Sequence, residues 1–175
     1  MRSTLVASAL LCGVMVLASQ ARAQAPPAAT PAPVPEVMPF VIPYGTTIGI
    51  DRAKQVASAI VAEAKRHPNW KEAIAVVGPA GELIYFEKMD DTQIASIAIA
   101  EHKARVAATF RRPTQYFEDV INGGSPATLT LDGVVATSGG FPLVEGGKLI
   151  GAVGCSGGTA AQDAVLCHAG AALIK

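Results

Sequence analysis

Apolar side chains recur at intervals of three and four along the first part of the chain, at Ile50, Ala53, Ala57, Ile60, Val61 and Ala64. That spacing puts them on one face of a helix, predicted over Ile50–His67. Asp51 suits its positive end, Lys65 and Arg66 suit the other, and Pro68 stops it. His67 reads as a solvated residue of the last turn. The period then shortens. Ala73–Val77 and Leu83–Phe86 read as strands about a Gly78-Pro79-Ala80-Gly81 turn. After Met89-Asp90-Asp91 a helical period returns through Ile97, Ala100, Ala104, Ala107 and Ala108, with Ser96 as candidate N-cap or a start one turn earlier at Asp91. A face made of alanines is shallow, so whatever packs on it comes close. The opposite face carries Glu101, Lys103 and Arg105, with Arg111 and Arg112 just beyond.

Pro113 ends that helix, and Thr114–Ile121 reads as a shorter one. Asn122–Pro126 is a loop, and Thr128–Val135, broken by Asp132-Gly133, reads as irregular or an edge strand. Two apolar runs, Phe141–Val144 and Leu149–Val153, flank Glu145-Gly146-Gly147-Lys148 and read as a hairpin. Gly154-Cys155-Ser156-Gly157-Gly158 follows as a glycine turn. A final helix is predicted over Thr159–Ile174, its start marked by the capping-box spacing of Thr159 and Gln162. Helix, hairpin, helices, hairpin, helix makes an α+β domain, one antiparallel sheet with helices against it. The glycine turn leading into a helix start exposes bare backbone N–H groups, which favour an anion.

Composition narrows the field. Half of the 175 residues are hydrophobic, enough for a core. The 14 basic residues balance the 14 acidic ones, and aromatics are 5%, which argues against nucleic-acid partners held by charge or base stacking. Residues 1–23 read as a secretory signal peptide: Arg2, an apolar run Leu5–Ala18 too short to span a bilayer comfortably, and Ala21-Arg22-Ala23 before a cut at Gln24. Cleavage removes two arginines and no acid, leaving 12 against 14, or −2. The expectation is a periplasmic or secreted protein with no stable membrane insertion after cleavage. Residues 24–43 form a Pro/Ala-rich spacer whose apolar end, Met38–Ile42, is available to dock on the domain or on a neighbouring subunit. The domain proper is 44–175. An oxidising compartment lets Cys155 and Cys167 pair, but one is placed in a turn and the other two helical turns further on, which favours separate thiols. Covalent c-type haem is excluded because no Cys-x-x-Cys-His occurs.

Several motifs occur in order from about Ile48 to the C-terminus: Met89-Asp90-Asp91; Ala100-Glu101-His102-Lys103-Ala104-Arg105; Arg112-Pro113-Thr114; Gly139-Gly140-Phe141-Pro142-Leu143; and Gly151–Gly158 with Gln162-Asp163. In these the chain resembles the GlcG/HbpS family. The resemblance implies a profilin-like fold with a five-stranded antiparallel sheet, helices packed on its faces, and assembly into homo-oligomers. It also implies a haem-binding member, since HbpS and the C-terminal domain of PduO proteins bind haem; the haem would be b-type and non-covalent. PduO-type domains carry a His before the Gly-Gly-x-Pro motif, whereas Thr128–Ser138 has none here. Cys155 stands where Val is usual.

The candidate site combines the glycine turn with the second helix. His102 is the candidate iron ligand and Arg105, three residues on, a holder of propionates. Gly140, Pro142, Cys155, Ser156, Gly157, Gly158 and Asp163 complete the proposed ligand-binding set around a small anionic ligand. Asp163 lies about a turn before His168 and could orient it, but a helix-surface histidine is the better reading of His168. Gly154–Gly158 formally matches the G-x-S-x-G nucleophile elbow, but the Asp and His that follow share the helix leaving that turn, so a triad is not expected. Two readings stay open beside ligand binding: an enzyme or accessory factor acting on a small organic acid, such as a glycolate-like hydroxy acid, with Ser156 holding a carboxylate and Asp163 or His102 moving a proton; and an accessory protein whose function is assembly.

Overall fold

The computed structural model describes residues 36–38 and 41–175. The segment read as a signal peptide, and most of the one read as a spacer, lie outside the described residues. The elements are α1 (Ile50–Ala64), β1 (Ala73–Val77), β2 (Leu83–Lys88), α2 (Ser96–Thr109), α3 (Gln115–Asn122), a 3-10 turn (Pro126–Thr130), β3 (Gly140–Glu145), β4 (Lys148–Ser156) and α4 (Ala160–Ala171). Two hairpins, β1–β2 and β3–β4, join through antiparallel pairing of β1 with β4, giving the order β2-β1-β4-β3.

Strand alternation divides the core in two. Ile74, Val76, Val153 and Cys155 point to one face, where α1 brings Val56, Ala57 and Ile60 and α4 brings Leu166 and Cys167. Ala73, Ala75, Val77 and Ala152 point to the other and meet Ala100, Ala104, Ala107 and Ala108 of α2. Small residues on both sides let α2 lie close to the sheet. Its backbone leaves no room for side chains where it crosses the strands. A Cβ at Gly154 would collide with the Ala100 carbonyl, and one at Gly140 would sit 2.5 Å from the Lys103 carbonyl.

Among the described residues four strands form instead of the five that the family resemblance implied. Beside the start of β4, beyond the end of β1, runs the segment 43–48. It makes one parallel bridge, Tyr44 to Leu149, with the Gly45 N–H donating to the Leu149 carbonyl and the Leu149 N–H to that of Pro43. Pro43 has no donor to extend the ladder. The end of the spacer thus docks on the domain, and Arg111 holds it by donating to the Ile42 carbonyl at 2.9 Å. Thr128–Val135 is not a strand either: Pro126 opens a 3-10 turn, and bends lead through Gly133.

Other boundaries shift for local reasons. α1 ends at Ala64 and a turn follows, with the His67 ring stacked on Trp70 at 4.0 Å. Ser96 is the first residue of α2 rather than its cap, because its hydroxyl is buried against Ser156. The capping box at Thr159 and Gln162 forms as the spacing required, though α4 stops at Ala171. β4 continues through Gly154-Cys155-Ser156, leaving only Gly157-Gly158 as the turn. Gly154→Ala is expected to cost about 1–3 kcal/mol through overpacking against α2, measured as a shift in the urea unfolding midpoint.

Candidate functional site

The sequence-predicted site residues fall into three places. His102 and Arg105 lie on the solvent side of α2 and line a groove of about 550 Å3 with Val106, Phe110 and Gly133. The His102 ring Nε2 is 3.0 Å from the Gly133 carbonyl. A carbonyl only accepts, so Nε2 carries the hydrogen and the lone pair left for a metal is on Nδ1. Arg105 donates to Glu101, one turn back, at 2.7 Å. Val106 is buried at the groove's base, and Phe110 is half-buried beside it.

Gly140 and Pro142 lie on β3, the outer strand. Gly140 is fixed by the Thr114 hydroxyl, which accepts its N–H at 3.0 Å. Pro142 pairs with Ala152 at a position where an edge strand needs no inward donor. Neither lines the His102 groove.

Ser156, Cys155, Gly157, Gly158 and Asp163 gather at the end of β4. Here the anion-cradle reading is corrected. The N–H groups of Gly157 and Gly158 both donate to Asp163 Oδ1, at 3.1 and 2.9 Å. The Thr159 N–H donates to Gln162. The protein's own carboxylate therefore occupies the place offered to a ligand. Ser156 is 4% exposed and its hydroxyl meets that of Ser96 at 3.2 Å, so it holds no open carboxylate site. His102 and Arg105 line a cavity that none of these residues shares.

Cys155 and Cys167 form a disulfide, with Cα atoms 5.6 Å apart, and are not separate thiols. Because Cys155 lies in β4 and faces α4, and α4 folds back over the strand, the second helical turn of α4 returns to it. His168 is a helix-surface residue, as expected, exposed and edge-on to Phe141, while Asp163 is engaged elsewhere.

Two residues of this cluster escaped the sequence reading. Lys103, placed there on the solvent face, is 1% exposed; Arg112 of the same group is also buried, over the Tyr116 ring. Lys103 donates to Asp163 Oδ2 at 2.6 Å and to the Cys155 carbonyl at 3.1 Å. A signal was present: Lys103 is three residues from Ala100 and four from Ala107, the spacing of the buried stripe. Glu72, just before β1, is 1% exposed, and its carboxyl lies against that of Asp163. Burial, then the charge and hydrogen bonding of Asp163, push its pKa up from 4.5 to about 9, against the opposing pull of Lys103. At neutral pH Glu72 is a neutral acid beside an ion pair.

The family model described as "Haem degrading protein HbpS-like" matches residues 48–172. The chain belongs to the HbpS-like family. Protein GlcG of Escherichia coli (strain K12) is 41% identical over 107 residues, 59% of this chain and 80% of that protein. An uncharacterized 15.0 kDa protein from the dhaT–dhaS intergenic region of Citrobacter freundii is 36% identical over 124 residues, 69% of this chain and 87% of that one. Among solved structures, a PduOC:heme complex matches with TM-score 0.67 at 27% identity, covering 74% of this chain and 96% of that chain. HbpS itself matches with TM-score 0.68 at 23% identity, covering 83% and 99%, a likeness of fold. The shared architecture is α+β with an antiparallel sheet.

The buried acid makes stability depend on pH. Below pH 4.5 Glu72 is protonated in the folded and the unfolded chain alike, and its contribution is fully present. Between there and about 9 the unfolded chain ionises while the native one keeps its proton, so stability falls as pH rises through that window. Glu72→Gln removes the titration and keeps the shape. It is expected to flatten this slope and to raise stability at pH 8 relative to the wild type, read from urea unfolding at a series of pH values.

Proposed function

We propose that this chain is an exported protein that binds haem non-covalently in the groove on the solvent side of α2. The observation that carries the reading is the pairing of two facts: the fold matches that of a PduOC:heme complex at 27% identity, and His102 stands in a groove large enough for a cofactor. The donor set suits the group. His102 offers a ring nitrogen to iron, Arg105 a guanidinium to a propionate, and Val106 and Phe110 an apolar wall. Bound haem would bring an iron centre able to exchange ligands or electrons. Among the described residues no group of three or more His, Cys, Asp or Glu side chains is arranged to hold a bare metal ion. The leader read at residues 1–23 supports export.

The same reading includes self-association. Ile94 is 84% exposed, and Leu129, Leu131, Val165 and Leu173 are exposed too, which leaves apolar surface for copies of the chain to cover. Light scattering on the purified 24–175 chain is expected to give a mass of at least two protomers; a monomer at micromolar concentration would refute association.

Titration of haemin into the protein is expected to shift the Soret band with saturation at one haem per chain. His102→Ala should abolish the ligated spectrum and weaken binding by about tenfold or more, the loss of one coordinate bond outweighing the retained wall contacts. An unchanged spectrum and affinity in that variant would remove His102 as the ligand.

A further inference from the structure

The His102 groove is bordered by a loop that leaves the 3-10 turn at Leu131 and rejoins the domain at Ser138, whose N–H donates to Glu118 at 2.8 Å. Asp132 and Gly133 of this loop line the groove and are exposed; residues 134–137 are half-buried. Among the described residues, 132–137 make one hydrogen bond to another element, accepted by the Gly133 carbonyl from His102 Nε2. The Val134 N–H bonds within the loop, to the Leu131 carbonyl at 3.3 Å. We propose that residues 132–137 are a flap latched shut by His102, and that the flap must open before the same ring nitrogen can hold iron. This rests on the haem reading above and names how that site is gated.

Three observations support this. The first is which nitrogen is free. Nε2, at the tip of the ring, carries the hydrogen that Gly133 accepts, so its lone pair is not available. Nδ1 keeps a lone pair, but it stands next to Cβ and the backbone of α2. A bare ion can approach it there. A flat macrocycle extending on every side of its iron would run into the helix. Ligation of haem therefore needs Nε2, with the hydrogen moved to Nδ1, and Nε2 is released only when Gly133 lets go. The second is charge. Asp132 places a carboxylate in the lining of the groove, where the two propionates of haem would meet a like charge. Asp132 and Gly133 are neighbours, so one movement removes the repulsion and frees the ring. The third is the ease of that movement. No residue of 132–137 belongs to either half of the core, so opening uncovers neither, and one exposed hydrogen bond shifts such an equilibrium by only about fivefold. The closed flap then lowers apparent haem affinity by the fraction of chains that are closed.

Limited digestion with thermolysin, which cuts before apolar residues, reports the flap at Val134 and Val135. Cleavage there follows the population of the open form, and fragment masses identify the first cut. His102→Ala without haemin should be cut about threefold faster than wild type or more, through loss of the latch. Wild type saturated with haemin should also be cut faster than the free protein. His102→Gln separates the two roles of the residue: its side-chain amide can still donate to the Gly133 carbonyl but does not ligate haem iron. It should keep the flap close to the wild-type rate while losing the ligated Soret spectrum. An unchanged cutting rate in His102→Ala would overturn the latch. Haemin that leaves the flap as resistant as before, or protects it, would overturn the coupling between opening and binding. Absence of any Soret shift in wild type would remove the haem reading instead, and the latch would then stand or fall on the cutting rate of His102→Ala alone.

Discussion

Lys103 and Asp163 join the two helical layers around the end of the sheet. One belongs to α2 and the other to α4, on opposite faces, and both are almost wholly buried. A buried ion pair is expensive to desolvate, and it holds only where the remaining hydrogen-bonding capacity is also met. Here it is: the Cys155 carbonyl takes a second hydrogen from Lys103, and the Gly157 and Gly158 N–H groups take the other Asp163 oxygen. The pair therefore fixes three things at once: the rotation of α2, the end of β4 and the first turn of α4. A second carboxyl in the same buried place does not ionise as well: burial, then the charge of Asp163, keeps the proton on Glu72.

The pair can form only because α2 lies so near the strands. Alanines on both surfaces, with Gly140 and Gly154 beneath the helix backbone, set that distance. A lysine flanking the alanine stripe then has no path to water and must run along the sheet to its end. The disulfide between Cys155 and Cys167 acts on the same residue whose carbonyl Lys103 holds, with its side chain on the opposite face of β4, so the strand end is held from both sides. The His102 groove, on the outer side of the same helix, takes its position from this rigid base.

Much of this was legible in the residues. The three-and-four spacing gave α1 and α2, the period-two runs gave both hairpins, and Thr159 with Gln162 gave the start of α4, because each depends on neighbours close in the chain. The family likeness, carried by motifs spread from Met89 to Asp163, was legible too. What was not legible depends on distant partners. Asp163 is 60 residues from Lys103, so nothing local marked that lysine as buried. The run Gly154-Cys155-Ser156 looks like a turn in isolation and is a strand because β1 pairs with all three residues and β3 with Gly154. The cysteine pairing followed from that same misplacement. The candidate site was divided for a related reason: residues adjacent in the motifs point to different sides of α2 and β4.

Pro142 has one more effect, on the border of the sheet. It sits on the outermost strand, and the hydrogen it lacks would have pointed outward. The opposite border, β2, carries Glu87 and Lys88 and is kinked by a register shift opposite Val76 and Val77. An incoming strand would find a gap in the ladder on one flank and charge with curvature on the other. Edge-to-edge zipping of one copy onto another, the route that leads to fibres, is thus disfavoured at both borders of the sheet.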